Sequence, residues 1–212
     1  MVMRRNLLLG AGSAAVAAGS AAWANKNGME SMAEYKAAVA ELRRMPPTAP
    51  ENRDLIRYAT LAPNGHNTQP WRFRPIENGV AILPDFDRRT PVVDPDDHHV
   101  FVSLGCAAEN LAIAASAAGR AGDIEFDPAG DGTMLVRFGT GSGGEQALFD
   151  AIPRRQSTRA DYDGSSVGAP DLRLLATAAA VPGVDLVLIT NRPQLDRLRD
   201  LIIAGNTAQI GD

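Results

Sequence analysis

Two polar stretches hold residue types that could do chemistry. The first runs Ala62-Pro63-Asn64-Gly65-His66-Asn67-Thr68-Gln69-Pro70-Trp71-Arg72-Phe73. It mixes turn formers with amide side chains, and Asn and Gln each both donate and accept hydrogen bonds. Such a loop suits a planar heterocycle that offers carbonyls and ring nitrogens. It suits equally a structured turn whose amides satisfy its own backbone. The second stretch is Ile152-Pro153-Arg154-Arg155-Gln156-Ser157-Thr158-Arg159. Alternate residues of an extended segment share a side, so Arg155, Ser157 and Arg159 can point one way. Two guanidinium forks and a hydroxyl match a phosphate monoester. A solvated basic run is the other reading, and on composition alone the commoner one.

The elements that must position these stretches are legible from periodicity. Met32, Tyr35, Val39 and Leu42 recur at helical steps, which predicts a helix over 30–44 that Pro46-Pro47 stops. A second helix over 51–62 carries Leu55, Ile56, Ala59 and Ala62 on one face. Residues 71–76 and 80–83 read as strands joined at Asn78-Gly79, a hairpin signal because both residues tolerate positive φ. Asp94-Pro95 predicts a helix cap and a first-turn proline, followed by a long helix to Gly119. Residues 124–126 and 134–138 are further strands. Beyond the glycine-rich 140–144 come a short helix to Ile152, a helix near 170–180, a buried strand Val184–Ile189 and a helix over 193–204. Helices alternating with short hairpin strands predict an α+β fold, a central sheet flanked by helices.

Other features carry less. Asp94, Asp96, Asp97, His98 and His99 resemble a metal cluster in composition only, because adjacent helical residues point about 100° apart. Cys106 lies in an apolar helical run with no local cation or His to activate it, so it reads as a small buried hydrophobe. A single cysteine excludes an intramolecular disulfide. The composition is 45% hydrophobic and 22% charged, which supports a packed core and argues against wholesale disorder. A net charge of −4 with no basic stripe argues against a nucleic-acid partner. The chain opens Met1-Val-Met-Arg4-Arg5-Asn6-Leu7-Leu8-Leu9, continues through an Ala/Gly run and reaches Ala22-Trp23-Ala24. That is the order of a secretory signal with an A-x-A cleavage site, and the arginine pair fits the twin-arginine (Tat) subtype. The expectation is export to the periplasm or another extracytoplasmic space through the Tat machinery, with a mature chain from Asn25. The apolar run is too short and mild for a stable membrane span.

Pro63-Asn64-Gly65-His66-Asn67-Thr68-Gln69-Pro70-Trp71, following a helix, resembles the loop of nitroreductase-like flavoproteins. Arg155-Gln156-Ser157-Thr158-Arg159 resembles that family's FMN-phosphate motif. The resemblance implies FMN as cofactor, with Arg155, Ser157 and Arg159 on its phosphate and Pro63, Asn64, Gly65 and Asn67 at its ring. Asn64 stands where the family usually has serine. The loop precedes the phosphate motif, the order of the internally doubled branch. The implied layout is a signal over 1–24, a first half over 25–139, a linker over 140–144 and the start of a second, incomplete half over 145–212. A truncated member, or one completed by a partner chain, is the corresponding expectation. The implied activity passes electrons from NAD(P)H to a nitro compound, a quinone or a similar small acceptor. No side chain need be nucleophile or base, because the cofactor carries the chemistry. The alternative is a flavin-sequestering protein with little turnover.

Overall fold

The computed structural model describes residues 31–47, 49–126, 130–141, 144, 146–158 and 160–211. The proposed signal over 1–24, Arg159 and part of the 140–144 linker lie outside the described residues. Two compact units divide the chain: residues 31–89 with 96–156, and residues 90–95 with 157–211.

The first unit is built on an antiparallel sheet. Strands β1 (Trp71–Ile76), β2 (Gly79–Pro84), β3 (Ile124–Phe126) and β4 (Met134–Arg137) take the order β1-β2-β4-β3. β1 and β2 form a hairpin with Ile76 opposite Gly79. Asn78 supplies the positive φ, 53°. Gly79 is needed for a different reason from its predicted turn role. A Cβ there would fall on the Val136 carbonyl oxygen of the neighbouring strand, so glycine permits a close backbone approach. Helices and strands in one antiparallel-sheet unit agree with the α+β expectation.

Helices α1 (Met32–Leu42), α2 (Asn52–Ala59), α3 (His98–Ala117) and α4 (Gln146–Ala151) complete this unit. α1 begins with a reciprocal capping box: Glu34 N–H donates to Ser31 Oγ at 3.2 Å, and Ser31 N–H to Glu34 Oε2 at 3.1 Å. Its apolar positions Met32, Tyr35 and Leu42 are exposed and none of its residues is buried. α3 buries Val100, Ser103, Leu104, Ala107, Ala108, Leu111, Ala114 and Ala115. Those steps of three and four make one stripe. The stripe lies against Val80, Ile82 and Val136 of the sheet and Leu55, Tyr58 and Ala59 of α2. Leu55, Ile82, Leu104 and Leu111 are at most 1% exposed, and burial of each side chain is worth roughly 1.5–3 kcal/mol. The Tyr58 and Phe149 rings stack at 4.9 Å. α3 ends in a Schellman motif: Arg120 N–H donates to Ala115 O at 2.8 Å, Gly119 N–H to Ser116 O at 3.0 Å, and Gly119 has φ 75°. α3 starts three residues later than Asp94-Pro95 predicted. Asp97 is its N-cap, with φ 57°, and residues 94–97 form turns instead, so Pro95 stands outside the helix.

The second unit contains α5 (Ala169–Ala178) and α6 (Arg192–Gly211). The Asn191 side chain accepts the Gln194 N–H at 3.2 Å at the start of α6. The buried strand predicted over 184–189 is not formed: the segment joins no ladder among the described residues, and Val187 is 77% exposed. A strand needs a neighbour for its N–H and C=O groups, and apolar content alone does not provide one. Every buried hydrophobic side chain among the described residues belongs to the first unit.

Candidate functional site

The polar loop follows α2 and leads into β1. Residues Gly65–Asn67 make a single 3-10 turn. Three of its L-residues adopt the left-handed region: His66 at φ 49°, Asn67 at 56° and Gln69 at 52°. Each such residue costs of order 1 kcal/mol or more and persists only where its surroundings hold it. The holding groups are visible. Asn64 spans the loop: its Oδ1 accepts the Gln69 N–H at 2.8 Å and its Nδ2 donates to Ala62 O at 3.2 Å. Thr68 closes back on Gly65 O through its N–H at 3.0 Å and its hydroxyl at 3.1 Å. Asn64 is therefore occupied by the loop's own backbone. Pro63, His66 and Asn67 are exposed, and Gly65 is half-buried with ordinary room for a Cβ against His99.

Two anchors from other elements fix the loop, and sequence reading missed both as functional groups. Ser103 on α3 accepts the Gly65 N–H at 3.2 Å. Arg88 donates to Thr68 O at 3.2 Å and pairs with Asp85 at 3.4 Å. Asp85, 7% exposed, also takes Arg72 Nη2 at 2.7 Å. A hydrogen bond from Arg72 holds the Asp85 carboxyl below the usual carboxylate range. The linkage sign follows from that depression: the stability it gives is fully present above about pH 4, the ordinary Asp value, and is lost as pH falls through the lower folded value. Asp85→Asn should therefore flatten the acid limb of the unfolding profile below about pH 4 while leaving its shape above pH 5 unchanged. An acid limb identical to that of the parent protein would show that the pair contributes nothing.

The basic motif is divided. Arg155 lies in the first unit, just past α4, and its Nη2 donates to Leu61 O at 3.1 Å, two residues before Pro63. Arg154 turns back to Asp150 O at 2.8 Å. Arg43 reaches Pro153 O at 3.1 Å and ties α1 to the same segment. Ser157 is exposed and belongs to the second unit. Burial pushes the Cys106 thiol up, against the lowering effect of the nearby Arg155 charge, so it is a protonated thiol at neutral pH. A separate cavity of about 450 Å³, lined by Arg74, Glu125, Phe126, Asp131, Thr133 and Leu135, contains no residue of either motif. Among the described residues no group of three His, Cys, Asp or Glu could hold a metal ion.

No family model matches the chain. It is similar to proteins of Mycobacterium tuberculosis. "Putative NAD(P)H nitroreductase Rv3131" of strain ATCC 25618 / H37Rv is 30% identical over 161 residues, 74% of this chain and 46% of the relative. A counterpart in strain CDC 1551 / Oshkosh, "Putative NAD(P)H nitroreductase MT3217", matches to the same extent. "Putative NAD(P)H nitroreductase acg" of H37Rv is 26% identical over 152 residues, 68% of this chain and 46% of the relative. The chain thus spans about half the length of these curated relatives. These likenesses, on an α+β unit that carries the amide-rich loop, support a nitroreductase-like family for this chain.

Proposed function

We propose that the chain is an FMN-binding oxidoreductase of nitroreductase type that draws on NAD(P)H and serves a small acceptor such as a nitro compound or a quinone. The observation that carries this reading is the loop itself. Left-handed residues held by Asn64, Ser103 and Arg88 present His66 and Asn67 outward, and Arg155 docks on the backbone at the loop's base. Strain of this kind concentrates at ligand sites. Pro63, Gly65 and Asn67 would face the ring system. Asn64 would act by holding the loop, since its amide is already bonded to Ala62 and Gln69. Arg155, Ser157 and Arg159 would bind the phosphate. When bound, FMN would supply hydride acceptance from NAD(P)H and onward transfer of the two electrons to the acceptor.

The first measurement is the visible absorption spectrum of the purified protein, with released cofactor identified by chromatography. FMN near one per chain, bleached anaerobically by NADH or NADPH, supports the reductase. Bound FMN that neither donor bleaches would leave the sequestering role. Protein that is colourless and takes up no added FMN rejects both for this chain.

The exposed apolar side chains of the second unit and its unladdered 184–189 run favour completion by a further polypeptide segment. Such a segment would supply a neighbouring strand. We also propose export by the twin-arginine route. Arg4→Lys with Arg5→Lys should abolish export and leave the chain in the cytoplasm, read by fractionation. Unchanged export of the double variant would reject the route.

A further inference from the structure

Ser103 is a polar residue on the buried, otherwise apolar stripe of α3. It is 2% exposed, and its neighbours on the buried stripe of α3 are Val100, Leu104 and Ala107. A buried hydroxyl must be satisfied or it costs stability. Ser103 uses both of its capacities: Oγ donates to His99 O at 2.5 Å within its own helix and accepts the Gly65 N–H at 3.2 Å. The donation to the preceding turn adds little to a helix. The acceptance joins α3 to the loop, across 38 residues of sequence.

The location of that bond matters. Gly65 immediately precedes His66 and Asn67, and its carbonyl receives both the N–H and the hydroxyl of Thr68. Holding Gly65 therefore holds the start of the strained turn. The far end is held by Arg88 on Thr68 O. With the Gly65 anchor gone, the left-handed residues at 66 and 67 can relax toward ordinary backbone, which removes the shape that presents them.

We propose that Ser103 is a positioning residue that keeps the Asn64–Gln69 loop in its ligand-receiving shape. The proposal rests on the flavin reading above and extends it to a residue that no ligand needs to touch. Ser103→Ala removes the acceptor and leaves the apolar stripe intact; Ser103→Thr keeps the hydroxyl. The loop serves the ring rather than the phosphate, so its loosening should weaken FMN and riboflavin alike.

The test combines hydrogen exchange at the Gly65 amide with fluorescence titration by FMN and by riboflavin. In Ser103→Ala, Gly65 should lose protection. Both affinities should fall about tenfold, the equivalent of one hydrogen bond, and the absorption band of bound flavin should shift. Ser103→Thr should restore protection and affinity. Parent-like affinity in Ser103→Ala would overturn the proposal, as would a loss that Ser103→Thr shares despite native folding. If the parent protein binds no flavin, the flavin reading fails first. Exchange at Gly65 then decides the anchor alone, and unchanged protection in Ser103→Ala overturns it.

Discussion

Gly79→Ala should destabilise the first unit by about 3 kcal/mol or more, the upper range for forcing atoms into a packed site. The added Cβ would fall on the Val136 carbonyl oxygen, with Arg137 Cα at 3.1 Å. Both are backbone atoms of β4, fixed by the ladder that pairs Gly79–Ile82 with Met134–Arg137. Relief requires prising β2 from β4, and Val80, Ile82 and Val136 in those strands are at most 1% exposed. Trp71, 7% exposed at the start of β1, reports the change. In protein lacking residues 1–24 it is the remaining tryptophan of the two in the chain, so its fluorescence follows this unit alone. The expected result is a fall in Tm of roughly 10 °C. Gly119→Ala is the useful comparison. Its φ of 75° imposes strain, but no atom lies within 4 Å of an added Cβ, so about 1 kcal/mol is expected. Equal effects at the two sites would refute the close-approach explanation for Gly79.

The second large effect concerns Arg155. If its guanidinium binds the flavin phosphate, Arg155→Ala should weaken FMN roughly 30-fold or more, the loss of a charge-assisted hydrogen bond worth about 2 kcal/mol. Riboflavin lacks the phosphate, and its affinity should be nearly unchanged. Arg155→Lys should recover part of the loss, because lysine keeps the charge and gives up the planar fork. The bond from Nη2 to Leu61 O makes this contrast necessary. A variant that merely loosens the end of α2 would weaken both ligands equally. Equal loss of FMN and riboflavin would therefore remove Arg155 from the phosphate site and leave it as a tether for the loop.

What the sequence revealed follows from the range of the interaction that decides each feature. The β1–β2 hairpin and the long helix ending near Gly119 are set by local turn and helix-end chemistry, and both were legible. The start of α3 was misplaced because Asp94-Pro95 is also a good turn former, and the helix waits until Asp97. The run over 184–189 has the composition of a buried strand, yet burial depends on a neighbour that composition does not specify. Nothing in the type or local spacing of Ser103 singles it out, because its partner lies 38 positions earlier. Asp85 likewise draws its meaning from Arg72 and Arg88 around a folded hairpin. Of the site, residue types were visible and anchoring was not. Asn64, which the resemblance placed at the ring, spends its side chain on its own loop, the alternative that the loop's amides left open.

The alanines of α3 have a consequence for how this chain tolerates change. Ala107, Ala108, Ala114 and Ala115 face the interior at no more than 1% exposure. A seam made of methyl groups has little side-chain volume to lose, and deletion there opens scarcely any void. Growth is the damaging direction, since each added carbon must push the helix from its neighbours. Random substitution along this face should therefore be lopsided: replacement by glycine is limited to its backbone cost of about 1 kcal/mol, while valine or leucine at the same positions forces the helix outward. Drift at these four positions is confined to the smallest side chains.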